Sequence, residues 1–297
     1  MTAIWVDTDF GFDDLWALLV LRRLNVRVDG ISLVAGNASM GQVVKNALGA
    51  ALAYGFDTPI WRGSQEPLER ELETAGRILG PTGMRSRGRT LPDPVGQVQH
   101  GAVTALQDWL VGGTEEQSRD ILALGPLTNI ARLIQSAPEA ARRITRLVWM
   151  GGGNGAGNHT RYAEFNAWAD PDAARIVANA GLPLDIVDLT LCRTVVFGPD
   201  DLPVTDPLTA DLLGGYLDIA LERGRPAMAI YDPTAAFALA DEHHLHFEPR
   251  ALSVTTEPGD RYGETTFVPD SGSRTRLAID ASPQLAAMCL SALAGEV

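Results

Sequence analysis

The sequence predicts an α/β fold with a central, mainly parallel sheet covered by helices. Short apolar runs that are typical of buried strands alternate with segments of helical periodicity over most of the chain. Such alternation favours a parallel sheet, because each crossover helix returns the chain to the same end of the sheet. The chain has 297 residues, of which 45% are hydrophobic, so it can form a large core. No repeat or clear linker interrupts it, and we expect a single domain over residues 1–297.

The strands and helices are expected in regular order from residue 3 onward. Apolar runs predict strands at residues 3–6, 31–35, 59–61, 120–124, 147–150 and 184–188. Helical patterns lie between or after them, at residues 15–21, 41–54, 100–111, 127–136 and 171–180. Asp170 is a typical N-cap residue and Pro171 suits a first helical position, which places the start of the last of these helices.

Two segments depart from this alternation. Residues 64–98 are rich in glycine, proline and arginine, which predicts a long loop near the functional site. Residues 246–280 have strand patterns around a glycine-rich turn, which predicts a small antiparallel appendage near the C-terminus.

The charge balance argues against nucleic acid as a partner. The net charge is −13 at pH 7, and Lys45 is the only lysine. A nucleic-acid surface needs a basic patch, and the one candidate is the series Arg70, Arg77, Arg85, Arg87 and Arg89. A neutral or cationic small substrate suits this charge better than a polyanion.

Neither a membrane span nor a disulfide framework is expected. No apolar run approaches the roughly 18 residues of a span, and a strand begins at once where a signal peptide would stand, so we expect a cytoplasmic location. The two cysteines, Cys192 and Cys289, are too few for a disulfide framework or a zinc cluster. Both lie in apolar contexts, and we expect both thiols to be buried.

Four carboxylates crowd the turn after the first predicted strand. Asp7, Asp9, Asp13 and Asp14 lie between the apolar run of that strand and the apolar run of the following helix. The carboxyl end of a strand is where open α/β sheets build their sites. Like charges in one turn repel each other unless a cation or protons intervene. Carboxylate oxygens suit a hard cation, so the sequence predicts a metal-dependent enzyme.

Three known motifs could also produce an acidic turn of this kind. An EF-hand loop opened by Asp7 would place Leu18 at its twelfth position, and a strand precedes the turn where a helix is required, so this motif is excluded. An aspartyl-phosphate phosphatase also has Asp-x-Asp after its first strand, but Lys45 comes too early for the basic residue of that chemistry. Capping of the helix near Asp13 needs only one carboxylate. The phosphatase and the capping turn remain alternatives.

Polar residues also follow two later strands. Asn37 ends the second strand, either as an ordinary turn residue or as part of the site. Leu124 precedes a Gly-Pro pair that frees backbone carbonyls from the strand ladder, so its carbonyl oxygen is a candidate ligand for a cation. A simple strand-to-helix turn, capped by Thr128 or Asn129, explains this motif equally well.

The richest polar stretch begins at Met150. Three glycines follow it and allow the backbone to approach a ligand closely. The later Asn158, Glu164 and Asn166 are donors and acceptors that suit sugar hydroxyls. The stretch has neither the Lys-Ser/Thr pair of a phosphate loop nor the immediate helix of a dinucleotide fingerprint. Farther on, Asp232 is locally typical of a helix N-cap, although the acidic turn needs a ligand from elsewhere in the chain.

Taken together, these segments resemble the inosine–uridine preferring nucleoside hydrolase family, from residue 3 to about residue 290. Any one motif is weak, but six in the family's order and spacing are specific. They are Asp7-Thr8-Asp9-Phe10-Gly11-Phe12-Asp13-Asp14, Val34-Ala35-Gly36-Asn37, Leu124-Gly125-Pro126-Leu127-Thr128-Asn129, Met150-Gly151-Gly152-Gly153, Glu164-Phe165-Asn166 and Tyr231-Asp232-Pro233. The resemblance implies a central parallel sheet and one tightly bound calcium ion.

The resemblance also implies roles for the matched residues. Ligands of Ca2+ would be the side chains of Asp9, Asp14 and Asp232 and the carbonyl of Leu124. The ribose hydroxyls would be held by Asp13, Asn158, Glu164 and Asn166. Asn37 and Met150 would line the site beneath the sugar. Asp7 would not touch the metal or the sugar but would orient the residues that do.

The implied activity is calcium-dependent hydrolysis of the N-glycosidic bond of a ribonucleoside to ribose and free base, as in purine or pyrimidine salvage. A calcium-bound water would attack the anomeric carbon with Asp9 as general base, through an oxocarbenium-like transition state. Two alternatives stay open: a nucleoside- or ribose-binding protein of the same fold with little or no catalysis, and a hydrolase of a non-standard N-riboside. The family further implies a homodimer or a homotetramer.

Three positions depart from the family's pattern. Tyr231 stands where non-specific members have a histidine that protonates the leaving base and purine-preferring members have a tryptophan that stacks on it. An unperturbed phenol, with a pKa of about 10, is a poor acid near neutrality, so stacking suits Tyr231 better, and the base preference stays open. Residues 76–83 replace a segment that carries histidines in other members, and Arg77 there is a candidate for contact with the base. Phe10 replaces the usual proline, while the carboxylates remain.

Overall fold

The computed structural model describes residues 3–114 and 117–294. The strands are β1 (Ala3–Thr8), β2 (Arg27–Leu33), β3 (Ile60–Arg62), β4 (Gln99–His100), β5 (Asp120–Ala123), β6 (Arg146–Met150), β7 (Leu184–Val187), β8 (Val196–Phe197), β9 (Met228–Ala229), β10 (Leu245–Val254), β11 (Thr265–Pro269) and β12 (Thr275–Ala281).

The helices that accompany these strands are α1 (Phe12–Arg23), α2 (Met40–Tyr54), α3 (Gly76–Leu79), α4 (Ala102–Val111), α5 (Thr128–Ser136), α6 (Pro138–Ala141), α7 (Phe165–Ala169), α8 (Pro171–Ala178), α9 (Leu189–Cys192), α10 (Pro207–Leu221), α11 (Asp232–Ala240) and α12 (Leu285–Ser291). Every strand and helix that the sequence predicts is present, with ends that differ by a few residues. Asp170 caps α8 as predicted, since its side chain accepts a hydrogen bond from the backbone nitrogen of Ala173.

One sheet runs through the described residues in the order β11-β10-β12-β7-β6-β5-β1-β2-β3-β4. Each neighbouring pair from β12 to β4 is parallel, whereas β10 is antiparallel to both β12 and β11. The predicted parallel sheet with antiparallel strands near the C-terminus is therefore confirmed. These antiparallel strands extend the edge of the main sheet, because β12 pairs with β7. A separate pair, β8 and β9, was not predicted.

Helices cover both faces of the sheet, and the strand side chains alternate between two cores. On β1, Ile4 and Val6 point into a core that α1, α2, α10, α11 and α12 complete. Trp5 points to the opposite face and packs with residues of α4, α5, α6 and α8. A sheet that is buried on both faces needs strands that are apolar on both sides, which explains the continuous apolar runs in the sequence.

The central strands all end at one edge of the sheet. Asp7 near the end of β1 pairs with Ser32 of β2 and with Ala123 of β5, and Met150 at the end of β6 pairs with Val187 of β7. The loops that follow these strands therefore meet at this edge, where the predicted site residues lie.

The long loop, the cysteines and the helices can also be compared with what the sequence predicted. Residues 64–98, all of them described, form a long loop that includes the short helix α3. Cys192 and Cys289 are free thiols, and both are buried, as predicted for them. Within residues 3–114 and 117–294, no helix has the length and apolar content needed to cross a bilayer.

Candidate active site

A cavity of about 500 Å³ opens at the carboxyl edge of the sheet. Most of the predicted site residues line it, namely Asp13, Asn37, Leu124, Met150, Asn158, Glu164, Asn166, Tyr231 and Asp232. The other two, Asp9 and Asp14, are buried, with relative exposures of 1% and 0%. The fold therefore brings the residues of all six motifs to one place.

Three carboxylates from two helices form a compact cluster. Asp13 and Asp14 lie in the first turn of α1, and Asp232 is the first residue of α11, which packs against α1. One carboxylate oxygen from each of the three lies within 4.8 Å of the other two. Tyr231 occupies the N-cap position of α11, so capping does not account for Asp232.

The turn between β1 and α1 closes around Asp14. The Gly11 backbone nitrogen donates to Asp14 Oδ2 over 2.6 Å, and the Thr8 hydroxyl donates to Oδ1. Between them, Phe10 has a φ of 44°, in the left-handed region that non-glycine residues rarely adopt. A proline ring holds φ near −65°. The proline that is usual at this position of the family's signature could therefore not adopt the backbone conformation of Phe10.

Asp9 is held by the residues that follow β2 and β5. The backbone nitrogen of Asn37 donates to Asp9 Oδ2 over 2.7 Å, and the Asn37 side chain donates to Oδ1 over 3.0 Å. A Cβ atom on Gly36 would lie 2.2 Å from Asp9 Oδ2, and one on Gly125 would lie 3.1 Å from the Asp9 carboxylate carbon. The glycines of two motifs thus leave the space that this carboxylate occupies.

The pKa of every carboxyl in this group is raised. Burial, reinforced by the charge of Asp13, raises the pKa of Asp14 to about 7, and burial raises that of Asp13 to about 6. Burial first and neighbouring carboxylates second raise the pKa values of Asp9 and Asp232 well above their usual range. Without a counter-charge, such a group holds protons near neutral pH. Converging carboxylate oxygens fit a hard cation, which would remove this repulsion.

The composition of the compact cluster differs from the ligand set that the resemblance implies. It contains Asp13 beside Asp14 and Asp232, whereas the resemblance places Asp9 with those two residues. Asp9 lies close enough for its charge to raise the pKa of Asp232. The ligand set therefore stays a prediction. Either Asp9 or Asp13 would be the third carboxylate ligand beside Asp14 and Asp232.

One buried amide links the ends of two strands at the floor of the cavity. Asn166 Nδ2 donates to the carbonyl oxygen of Leu124 over 2.9 Å and to that of Met150 over 3.0 Å. Because a carbonyl oxygen has two lone pairs, Leu124 retains one for a cation. The turn after β5 therefore leads into α5 and also leaves the Leu124 carbonyl free to accept the bond from Asn166.

Glu164 is positioned by one backbone nitrogen of the glycine stretch and by two at the start of α7. It accepts hydrogen bonds from Gly152 over 2.8 Å, from Asn166 over 2.8 Å and from Ala167 over 3.0 Å. Burial raises its pKa to about 7, although these donors favour the charged form. Nearby, Asn158 Oδ1 accepts from the backbone nitrogen of Phe165 over 2.9 Å, which orients the amide at the cavity wall.

Another part of the cavity wall is largely apolar. It includes Tyr231, Met228 and residues of α10, among them Ile219 and Ala220. Burial raises the pKa of Tyr231 to about 12, so its phenol is a weaker acid than in water. A planar heterocycle suits such a wall better than a sugar does.

Some residues of the site were not predicted from the sequence. Tyr216 on α10 lines the cavity, and its hydroxyl donates to Asp13 Oδ2 over 3.1 Å. His159 also lines the cavity and lies with its Nε2 atom 3.5 Å from the Glu73 carboxylate of the long loop. Tyr216 has the sequence context of a core residue, so no local signal distinguishes it. His159 directly follows Asn158, and that adjacency is the signal that could have found it.

Asn129 is a further residue whose role the sequence did not reveal. It is not a helix cap; its Nδ2 donates to Asp7 Oδ1 over 2.8 Å and to the Leu33 carbonyl over 3.1 Å. The Ser32 hydroxyl donates to the same oxygen of Asp7, while Asp7 Oδ2 has no hydrogen-bond partner among the described residues. Asp7 is thus anchored to β2 and α5, and its expected role in orienting its neighbours stays a prediction.

Comparison with known proteins decides the family. The sequence profile of the family described as inosine-uridine preferring nucleoside hydrolase matches residues 4–287. The chain belongs to this family. The protein named non-specific ribonucleoside hydrolase RihC of Salmonella newport (strain SL254) is 37% identical over 203 residues, which are 67% of this chain and 64% of that relative. The chain therefore matches less than two thirds of the length of that nucleoside hydrolase.

Solved structures of nucleoside hydrolases have the same fold as this chain. The structure titled plant nucleoside hydrolase, PpNRh1 enzyme, has a TM-score of 0.87 and 24% identity, and the match covers 99% of each chain. The purine-preferring ribonucleoside hydrolase from Gardnerella vaginalis has a TM-score of 0.87 and 22% identity over 98% of each chain. These matches confirm the nucleoside-hydrolase-like fold that the six motifs implied.

Proposed function

We propose that this protein hydrolyses the N-glycosidic bond of ribonucleosides to ribose and free base, and that it does so with a calcium ion. The observation that carries the proposal is the carboxylate cluster at a cavity whose wall has both a polar part and an apolar part. A ribose suits the polar side and a heterocyclic base suits the apolar side. The relative named as a non-specific ribonucleoside hydrolase supports the same activity.

The calcium ion would be held by Asp14, Asp232, the Leu124 carbonyl and Asp9. All of these ligand atoms are oxygens, which a hard cation prefers. The raised pKa values of Asp14 and Asp232 mean that their negative charges are unfavourable when no cation is bound. When bound, the ion would supply positive charge that lowers the pKa of a nearby water.

The polar side of the cavity would bind and orient the ribose. Asp13, Asn158, Glu164 and Asn166 offer acceptors and donors to the sugar hydroxyls, and each is already fixed by contacts within the protein. Fixed partners hold the sugar in one geometry, which lowers the entropic part of the barrier. Loss of a sugar hydroxyl should therefore reduce kcat as well as binding.

Asp9 would accept the proton of the attacking water. As oxygen bonds to the anomeric carbon, the bond to the base breaks and its electron pair leaves with the base nitrogen. Positive charge then develops on the ribose ring, and the surrounding carboxylates stabilise it. Tyr231, with its raised pKa, would stack on the base, and the departing nitrogen would take its proton from solvent.

The same wall supports a second candidate function. A buried phenol with a pKa of about 12 is a poor proton donor, and no histidine precedes Asp232, so a nucleoside- or ribose-binding protein with little or no catalysis is the alternative. In that case the site would bind ribose tightly without turnover.

A reducing-sugar assay on a panel of purine and pyrimidine ribonucleosides tests the proposal. We expect ribose release that is lost with a chelator and restored by Ca2+ but not by Mg2+, because the larger ion accepts more oxygen ligands. Asp9→Ala should abolish release while the protein stays folded, and Asp57→Ala, at an exposed position, is the matched control. Tight binding of ribose with no release from any nucleoside would favour the binding protein.

We also propose that the protein assembles as a homodimer or homotetramer, as the family resemblance implies. Light scattering on the purified protein tests this assembly, and a monomeric mass at micromolar concentration would contradict it.

A further inference from the structure

Three arginines at the cavity have no acidic partner. Arg77 of α3, together with Arg223 and Arg225 just after α10, lines the cavity. Among residues 3–114 and 117–294, none of the three forms an ion pair or a side-chain hydrogen bond. All three are exposed residues, and positive charges that line a cavity suit an anionic group of a ligand.

The acidic groups nearby are already paired with other arginines of the long loop. Glu222 accepts two hydrogen bonds from Arg85, over 2.8 and 2.7 Å. In the same way Asp218 pairs with Arg87 and Asp211 pairs with Arg89. These pairs fasten the loop to α10, which accounts for most of the basic series noted in the sequence.

The remaining members of that series are Arg70 and Arg77. The Arg70 guanidinium lies over the ring of Trp168, 3.7 Å from its centroid, and donates to the Trp168 carbonyl. Arg77 alone in the series has neither an ion pair nor an aromatic partner within the described chain, and it is at the cavity.

Two of these arginines directly follow the helix that contributes to the apolar wall, and Arg77 lies close enough to His159 for its charge to lower the pKa of that histidine. α10 contributes Ile219 and Ala220 to the apolar wall, and Arg223 and Arg225 follow directly after it. Arg225 is close enough to Tyr231 for its charge to offset part of the rise in the phenol's pKa. Arg77 belongs to α3, which packs against α10.

The cavity is lined by charged residues of both signs. The floor carries the carboxylates that would bind calcium and ribose, and these alone would repel an anionic substrate. The three arginines that line the same cavity offset that repulsion for an anionic group bound next to them. Guanidinium groups also match carboxylates in shape, through paired N–H donors.

We propose that the preferred substrate is an N-riboside whose leaving base carries an anionic group, such as a carboxylate, that Arg77, Arg223 and Arg225 recognise. This inference rests on the proposed hydrolase function and specifies its substrate class. A neutral nucleoside would still be cleaved, because the ribose and the scissile bond meet the same groups in both cases.

Two ribosides that differ only in this charge provide the test, namely 5-carboxyuridine and its neutral amide, 5-carbamoyluridine. We expect kcat/KM to favour the carboxylate by about tenfold or more, the usual scale for hydrogen bonds to a charged group. The double variant R223Q/R225Q and the single variant Arg77→Gln should reduce this ratio toward one. Arg23→Gln, which removes an exposed arginine at the far end of α1, should leave the ratio unchanged.

Each outcome of this experiment has a distinct meaning. Equal kcat/KM for the carboxylate and the amide would overturn the inference, while cleavage of uridine in the same assay would leave the hydrolase function standing. A preference for uridine 5′-monophosphate over 5-carboxyuridine would also overturn it, because the arginines would then bind a sugar phosphate. If no riboside is cleaved, the hydrolase function fails, and the affinities of the unaltered protein for the two ribosides still decide the charge preference.

Discussion

Asn37 donates to both carboxylate oxygens of Asp9, through its backbone nitrogen over 2.7 Å and through its side-chain amide over 3.0 Å. These bonds join the loop after β2 to the turn after β1 at the carboxyl edge of the sheet. They stabilise the charged form of Asp9 against the effect of burial, which raises its pKa. A short Gly-Asn motif after a strand thus orients the residue that we propose as the general base.

Replacement of Asn37 by alanine should therefore slow catalysis more than it weakens binding. Asn37→Ala keeps the backbone bond and removes the side-chain bond, and we expect kcat to fall about tenfold or more, the scale of a hydrogen bond to a charged group. Steady-state kinetics of ribose release measures the change. Asn179→Ala, at an exposed position where the amide bonds only to the Arg175 carbonyl, is the control. An unchanged kcat for Asn37→Ala would mean that the amide does not position Asp9.

Gly36 should not tolerate a methyl group. A Cβ at this position would lie 2.2 Å from Asp9 Oδ2, so Gly36→Ala must displace the carboxylate, and we expect a loss of activity of about a hundredfold, on the scale of a misplaced catalytic group. Gly41→Ala is the matched control, because a Cβ there meets nothing within 4 Å and lies within α2. Its melting temperature should be equal or higher, since alanine is the better helix residue. Equal activity of the two variants would contradict the proposed role of Asp9.

Tyr231 should act through its ring. Because burial raises the pKa of its phenol to about 12, Tyr231→Phe is expected to retain most activity on purine nucleosides, whereas Tyr231→Ala should lose affinity for the base. The two kcat/KM values, measured with inosine, separate stacking from proton donation. A loss in the phenylalanine variant as large as in the alanine variant would identify the hydroxyl as essential.

Calcium should stabilise the protein more as the pH rises. The metal-free protein has pKa values of about 7 for Asp14 and about 6 for Asp13, above the ordinary value of 3.8, so its folded state holds protons that the unfolded state releases. Raised carboxyl pKa values mean that the stability of the metal-free form falls as the pH rises from about 4 to about 7. A cation must displace these protons, so its effect grows over the same range.

Thermal melting with Ca2+ and with a chelator, at pH 5 and at pH 8, measures this dependence. We expect the increase in melting temperature that calcium causes to be larger at pH 8. Asp14→Asn should remove most of that increase at both pH values. A calcium effect that is equal at pH 5 and pH 8 would show that the ion does not compete with protons at these carboxyls.

The alternation of strands and helices was predictable because it depends on local periodicity. The apolar runs of β1 and β6 and the Asp170-Pro171 start of α8 carry their signals within a few residues. The carboxyl-edge location of the acidic turn follows from the same alternation, because parallel strands end together. Motif order identified the family for a similar reason, since spacing along the chain is a property of the sequence alone.

Relationships between distant residues were not predictable in this way. Asp232 looked like a helix cap, yet the packing of α11 against α1 brings it to Asp13 and Asp14. Asn129 looked like a cap as well, but its side chain reaches from α5 to Asp7 on β1 and donates to that carboxylate. Tyr216 had no local signal, because the interior of a long helix shows only that a residue is apolar on one face.

The sequence by itself determined the order of the secondary-structure elements, the family and the end of the sheet at which the site lies. Only the tertiary structure decided which carboxylates converge, which amides hold them, and which arginines are left without an acidic partner at the cavity. The physical reason is that hydrogen bonds and ion pairs act over a few ångströms. Distances on that scale between residues far apart in the chain are set by helix packing and strand register, and no local pattern records them.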